Sequence, residues 1–300
     1  MLRFFMDFLK ISLQQGLILL AGSPSWQKVL LFFSIWLILW LPLALPLSWF
    51  LNWRPFQPLT PQKKLIFLAS LYSLVPLVLW GATAIEGISA QTYGLKLTIS
   101  PSPPPPVVQF LGSMGGTIAQ GFLLAVLGLI VIFSVESLGG WVRWNREKLN
   151  NTREILLPIF AVALLIGGIE EVIFRGFLWS VLKSDRGLLV ATLVSSLLFA
   201  LSHLIWEQKE TLPQLPGLFI MGLVLVLARW VTPDQTIGLA WGLHSGWIWG
   251  LTCLDTAELM TYSTEKGQWF TGWQGKPLAG VGGLLCLVFT GLVLGNVAFF

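Results

Sequence analysis

Charge is scarce in this chain of 300 residues. Asp, Glu, Lys and Arg make up only 11% of it, where soluble domains carry about a quarter. With hydrophobic residues at 55%, that shortage excludes an ordinary soluble domain and points to a polytopic membrane protein. Cysteine is nearly absent too. Cys253 and Cys286 both sit in apolar stretches and read as small hydrophobes rather than a disulfide, and no metal-type cysteine spacing exists. There is no tandem repeat and no soluble domain. No concentrated basic run accompanies the net charge of +4; the cations lie in short loops, a topology signal that excludes nucleic-acid binding. A clean signal peptide is also missing. MLRFFMDFLKISLQQGLILLAG carries Asp7 and Lys10 and lacks a small-residue cleavage site. Phe4, Phe5, Phe8 and Ile11 share a helical spacing, which predicts an interfacial amphipathic helix within residues 1–28.

What the chain has is a series of long apolar runs. Eight spans are expected, at 29–51, 65–85, 116–135, 155–182, 187–206, 217–231, 236–254 and 279–300, most near the ~20 residues a bilayer requires. Trp53, Trp80, Trp206 and Trp230 fall near span ends, as an aromatic belt does. The expected fold is all-α, a bundle of about eight transmembrane helices around an intramembrane polar cavity. Its organisation reads as the interfacial helix over 1–28, N-terminal transmembrane helices and loops over 29–150, and a core carrying the chemistry over 151–300. SPSPPPPV is a stiff polyproline-type linker. Arg54, Lys63 and Lys64 follow the first span, and Arg143, Arg146, Lys148 and Arg153 precede the fourth. The positive-inside rule makes both loops cytoplasmic and puts both termini on the other side.

Against this apolar background, GGIEEVIFRGFLW places Glu170, Glu171 and Arg175 at lipid depth. Intramembrane ionisable residues are costly and face a bundle interior or a cavity. Glu171 and Arg175 are four apart and pair on one helix face. Glu170 lies about 100° around the helix and keeps no partner there. The chain's two histidines, His203 in FALSHLIW and His244 in AWGLHSGWIWG, both stand inside apolar runs. At ~1.5 Å per helical residue the three groups scatter around the midplane, so tilt or helix breaks are needed to bring them together. A packing clasp and interhelical histidine hydrogen bonds are the structural alternatives. As a set, a carboxylate with a free face and two imidazoles can polarise water: the carboxylate takes a proton and an imidazole holds the water or the developing charge.

The order Glu170-Glu171-x-x-x-Arg175, then Phe199-x-x-x-His203, then His244 resembles the CPBP intramembrane proteases, the CAAX protease and bacteriocin-processing or Abi family, over roughly residues 155–254. The resemblance implies that Glu170 is the general base and that Glu171 and Arg175 form a supporting pair. It also implies that His203 helps hold the water, that His244 stabilises the tetrahedral oxyanion, and that Phe199 is the aromatic beside His203. An expected substrate is a membrane-delivered peptide or protein, such as a prenylated CAAX chain, met in the plasma or an internal membrane of a prokaryote. Membrane lipid is the other expected partner, and nucleic acid is not one. One position departs: four residues after His244 the family has Asn or Asp, and here stands Ile248, which donates nothing. Trp247 or Ser245 then becomes the substitute oxyanion donor, each having a donor group. No cofactor is expected. Zinc on Glu170, His203 and His244 is the alternative, although HExxH is absent. A non-catalytic scaffold or chaperone and a proton-relay transporter remain open as other functions, the last without the inverted repeat that would support it.

Overall fold

The structure, a computed structural model, describes residues 20–54, 57, 59–96, 113–205, 208–262 and 267–297. Most of the expected interfacial helix, and the polyproline-type linker, lie outside these. From Ser25 the chain is already in α1, Ser25–Phe50, which carries Pro42 and Pro46 in its interior. Thr60 caps α2, Pro61–Tyr72, by accepting from the Lys63 N–H, with Pro61 at the first helical position. After a short break α3, Val75–Glu86, continues in nearly the same run and stops at Gly87 in the left-handed conformation. α4 is Met114–Leu138 and starts on a Ser113 cap.

The second half begins with α5, Thr152–Glu171. It passes without interruption into a π-helical segment, Val172–Leu178, and then into α6, Trp179–Ser202. Gly187 breaks α6 with φ 79° and ψ 172°, a backbone that glycine adopts without a Cβ clash. α7 is Leu215–Val231, α8 is Gly238–Thr256 and α9 is Val281–Val297.

The all-α bundle is therefore present, with one addition. β1, Val142–Trp144, pairs antiparallel with β2, Met260–Tyr262, and ties the two extramembrane loops together. The span count differs from the expected eight. Among the described residues five helices are long and apolar enough to cross a membrane, the fourth being the 54-residue run Thr152–Ile205 that holds two of the expected spans on either side of Gly187. α8 is not among the five because Gly, Trp, His244 and Ser245 dilute its apolar residues, and Val281–Asn296 is shorter. Large apolar side chains such as Leu127, Ile130, Leu189, Leu193, Phe289 and Leu292 face outward, as lipid-facing surfaces require. Cys253 and Cys286 are free thiols.

Glycine sets how close α8 comes to its neighbours. A Cβ on Gly242 would stand 2.0 Å from the Ile118 carbonyl oxygen of α4, and one on Gly167 of α5 would stand 2.5 Å from Ser245 Oγ. Small residues at such crossings let helix backbones approach directly. Gly167 and Gly168 immediately precede Ile169-Glu170-Glu171, so the contact that seats α5 on α8 also brings both glutamates beside His244.

Candidate functional site

The two adjacent glutamates are treated differently by their surroundings. Glu171 is fully buried. Its Oε1 accepts from Arg175 Nη1 at 2.9 Å, and His244 Nδ1 stands 2.8 Å from the same oxygen. The pair expected from the four-residue spacing thus forms, even though the backbone between its members is π-helical and not α-helical. Arg175 is held further by Nη2 donating to the Gly222 carbonyl at 3.3 Å and by lying 4.2 Å over the Phe199 ring. Since Glu171 Oε1 accepts from Arg175, the facing His244 Nδ1 carries its proton and donates.

Glu170 has no partner on its own helix, as the spacing implied, but α2 supplies one. Tyr72 O–H donates to Glu170 Oε1 at 2.6 Å. Glu170 Oε2 receives no hydrogen bond among the described residues, and His244 Nε2 stands 3.7 Å from it. His244 therefore lies between the two carboxylates, anchored on Glu171 and turned to Glu170.

His203 is the first residue past α6. Its Nδ1 stands 2.9 Å from the Phe199 carbonyl. A carbonyl only accepts, so Nδ1 bears the proton and the Nε2 lone pair is left for another donor. The Phe199 ring meets both imidazoles at its edge rather than stacking: its centroid is 4.8 Å from His203 at 74° and 5.5 Å from His244 at 81°. Phe199 is a fully buried wedge that sets two imidazoles and one guanidinium at once.

Glu170, His203 and His244 line one cavity of about 550 Å³, together with Tyr72, Trp247 and Ile248. Lys64, Ser202 and Ile205 lie along the same lining. Glu171 and Arg175 are not on it; they stand behind. Of the two expected substitute donors, Trp247 is on the lining, whereas Ser245 is fully buried against Gly167 and is not. Ile248 offers the cavity only hydrocarbon. Among the described residues no three His, Cys, Asp or Glu side chains are grouped closely enough to hold a metal ion.

Tyr72 is the site residue that sequence reasoning missed. The signal available was thin: it is one of three tyrosines and stands in an apolar run, but nothing local ties it to a residue 98 positions away. Its hydroxyl is consistent with a need to hold a carboxylate at lipid depth, where an unpaired acceptor is costly. Its removal is expected to loosen Glu170 without removing the base. Tyr72→Phe is expected to lower the turnover of any reaction run by Glu170 about tenfold, the scale of one hydrogen bond to a charged group. A rate within twofold of the parent would show that the bond contributes nothing to orientation.

The family described as type II CAAX prenyl endopeptidase, Rce1-like, matches residues 152–250. That stretch holds Glu170, Glu171, Arg175, Phe199, His203 and His244, and leaves Tyr72 outside. No curated protein and no solved structure matches the chain. A buried Glu–His–Arg network opening on an intramembrane cavity is consistent with a catalytic site of that family. Over residues 152–250, the chain is similar to the Rce1-like type II CAAX prenyl endopeptidase family.

Proposed function

We propose that this chain is an intramembrane endopeptidase that hydrolyses a peptide bond of a membrane-delivered substrate, with water activated by Glu170. The observation that carries this reading is the shared cavity: Glu170, His203 and His244 line it together, and Glu170 Oε2 accepts no hydrogen bond among the described residues, with His244 Nε2 3.7 Å away. Glu170 Oε2 takes one proton of a water molecule. The Nε2 lone pair of His203 accepts from the other hydrogen and holds the water in place. The hydroxide oxygen bonds to the scissile carbonyl carbon, and the carbonyl oxygen becomes an oxyanion. His244, protonated on both nitrogens, donates through Nε2 to that oxyanion while Glu171 holds its Nδ1–H. Collapse of the intermediate breaks the C–N bond, and Glu170 returns its proton to the departing amine nitrogen.

The description of the matching family, type II CAAX prenyl endopeptidase, supports a prenylated CAAX chain end as the substrate. A cavity lined by Phe33, Trp36, Leu37 and Leu68 besides its polar groups suits a peptide that arrives with a lipid attached. Lys64 and Ile205 lie along it, and the positive-inside rule assigns the Lys64 end to the cytoplasm, where such chain ends are found. The test is cleavage of prenylated and unprenylated CAAX peptides by the purified chain in liposomes. Release of the last three residues from the prenylated peptide is the expected result.

Ile248 is the observation that favours the second reading, a non-catalytic family member that binds without cleaving. The active reading requires another donor, and the Trp247 indole N–H is the candidate because it lies on the cavity beside His244. Trp247→Phe is then expected to slow cleavage about a hundredfold, as loss of one oxyanion donor does. Ile248→Asn is expected to keep or raise the rate. Equal rates for the parent and Trp247→Phe would remove the indole from the mechanism. A parent that cleaves no peptide in a broad library, prenylated or not, would favour the scaffold.

A further inference from the structure

The π-helical segment has consequences for its own backbone. Its bonds run five residues back, as when the Trp179 N–H donates to the Phe174 carbonyl. Where a π pattern returns to the α pattern, the donor steps from five residues back to four and one carbonyl is passed over; after the Trp179 N–H to Phe174 bond, that is the carbonyl of Arg175. At lipid depth such a carbonyl requires a donor from elsewhere.

Arg229 of α7 supplies it. The residue is 3% exposed. Its Nη1 donates to the Arg175 carbonyl and, at 3.4 Å, to the Gly176 carbonyl. Nη2 donates to the Thr92 carbonyl at 3.2 Å, and Nε donates to the Gln235 carbonyl at 2.9 Å. The guanidinium face lies 4.5 Å over the Trp179 ring. Among the described residues every hydrogen bond of this guanidinium goes to main chain, in three separate stretches at Thr92, Arg175–Gly176 and Gln235. A buried cation used in this way is costly unless the main chain it holds is itself in need of donors. The rest of the wrapping agrees. The turn Ala90–Tyr93 presses on the segment so closely that a Cβ on Gly176 would lie 3.1 Å from the Tyr93 carbonyl oxygen. The Phe32 ring stacks on Phe177 at 4.0 Å.

We infer that Arg229 is a positioning residue of the site, fixing the π-helical segment and, through it, the direction of Glu170 and Glu171. Those two residues are the last before the segment, and His203 is reached only after it. One residue more or fewer in the wide turns rotates everything on one side against the other by about 100°, the angle per residue of an α-helix. Such a slip would turn Glu170 away from His203 and His244 while leaving each helix intact. Lysine cannot do the same work, because a single ammonium does not present a planar fork of donors to four carbonyls. The inference rests on the proposed endopeptidase reading only for its effect on rate.

The test uses the full chain in detergent or liposomes, as the parent, Arg229→Lys and Arg229→Met, with two readouts. The first is amide hydrogen exchange followed by peptide mass spectrometry. Exchange within 172–178 is expected to rise about tenfold in Arg229→Lys, a local opening, with the α4 peptides unchanged. The second is cleavage kinetics. In Arg229→Lys, kcat is expected to fall about a hundredfold, the scale of a small misplacement of a catalytic group, with KM within twofold, and Arg229→Met is expected to fall further. Unchanged exchange at 172–178 in Arg229→Lys overturns the inference, as does a rise spread evenly over all helices. Raised local exchange with an unchanged kcat overturns the link to Glu170. If the parent cleaves nothing, the endopeptidase reading fails by itself, and the exchange pattern still tests the Arg229 clamp. Should Arg229→Met fail to fold, Arg229→Lys alone gives both readouts.

Discussion

Glu170→Gln is expected to lower kcat about a thousandfold, within the range that a positioned general base contributes, while the protein folds and melts as the parent does. The two halves of that expectation have separate physical grounds. The amide keeps an oxygen at the place where Tyr72 O–H donates, so the side chain stays anchored. It cannot accept a proton from water, so the chemical step loses its base. Little stability is lost, because the Tyr72 bond is kept and Glu170 Oε2 has no hydrogen bond to lose among the described residues, only His244 Nε2 at 3.7 Å. Glu171→Gln serves as the contrast. Glu171 is enclosed and receives both Arg175 and His244, so its neutral amide strands a guanidinium and lowers stability. Single-turnover cleavage of a prenylated CAAX peptide in liposomes, read beside thermal melting, separates the two. Glu170→Gln cleaving within threefold of an active parent would remove Glu170 from the chemistry.

Arg175→Ala is expected to be the most destabilising single change in the site, at about 3–5 kcal/mol, the usual cost of breaking a buried ion pair from one side. Arg175 and Glu171 are both fully buried, so no water replaces the lost guanidinium. The change also removes the cation from the Phe199 face and the donor to the Gly222 carbonyl. Phe199 sets His203 and His244, so activity is expected to fall together with stability. Arg175→Lys is expected to recover part of the stability, since an ammonium still meets Glu171, but not the stacked, forked geometry. Unfolding in detergent, monitored by tryptophan fluorescence, measures the difference. A melting curve for Arg175→Ala that overlays the parent would show that Glu171 is satisfied without the arginine.

These expectations draw on two kinds of information. Composition and hydrophobic run length were enough to establish a helical membrane bundle, because a bilayer demands long apolar segments whatever their partners. The four-residue spacing of Glu171 and Arg175 was enough for their pairing, because that interaction is local. The order of Glu170, Glu171, Arg175, Phe199, His203 and His244 carried the resemblance for the same reason: a motif is a linear object. The count of spans was less legible. An apolar run was expected over α8 and a boundary at Gly187, but α8 is too rich in Gly and Trp to count among the long apolar helices, and Thr152–Ile205 runs as one stretch of 54 residues across Gly187.

What only the tertiary structure decided is how the polar groups face one another. The Tyr72 bond to Glu170 and the bonds of Arg229 to the Thr92, Arg175 and Gly176 carbonyls join residues far apart along the chain, and no periodicity encodes such contacts. The assignment of His244 to both glutamates depends on how closely α5 approaches α8, which Gly167 and Gly168 set by having no side chain to collide with Ser245 and Trp241. The π-helical turn adds the last element. It stands between the glutamates and α6, and a guanidinium from another helix donates to the Arg175 and Gly176 carbonyls within it. At lipid depth there is no water to do so, and the sequence of the segment alone does not say where that donor comes from.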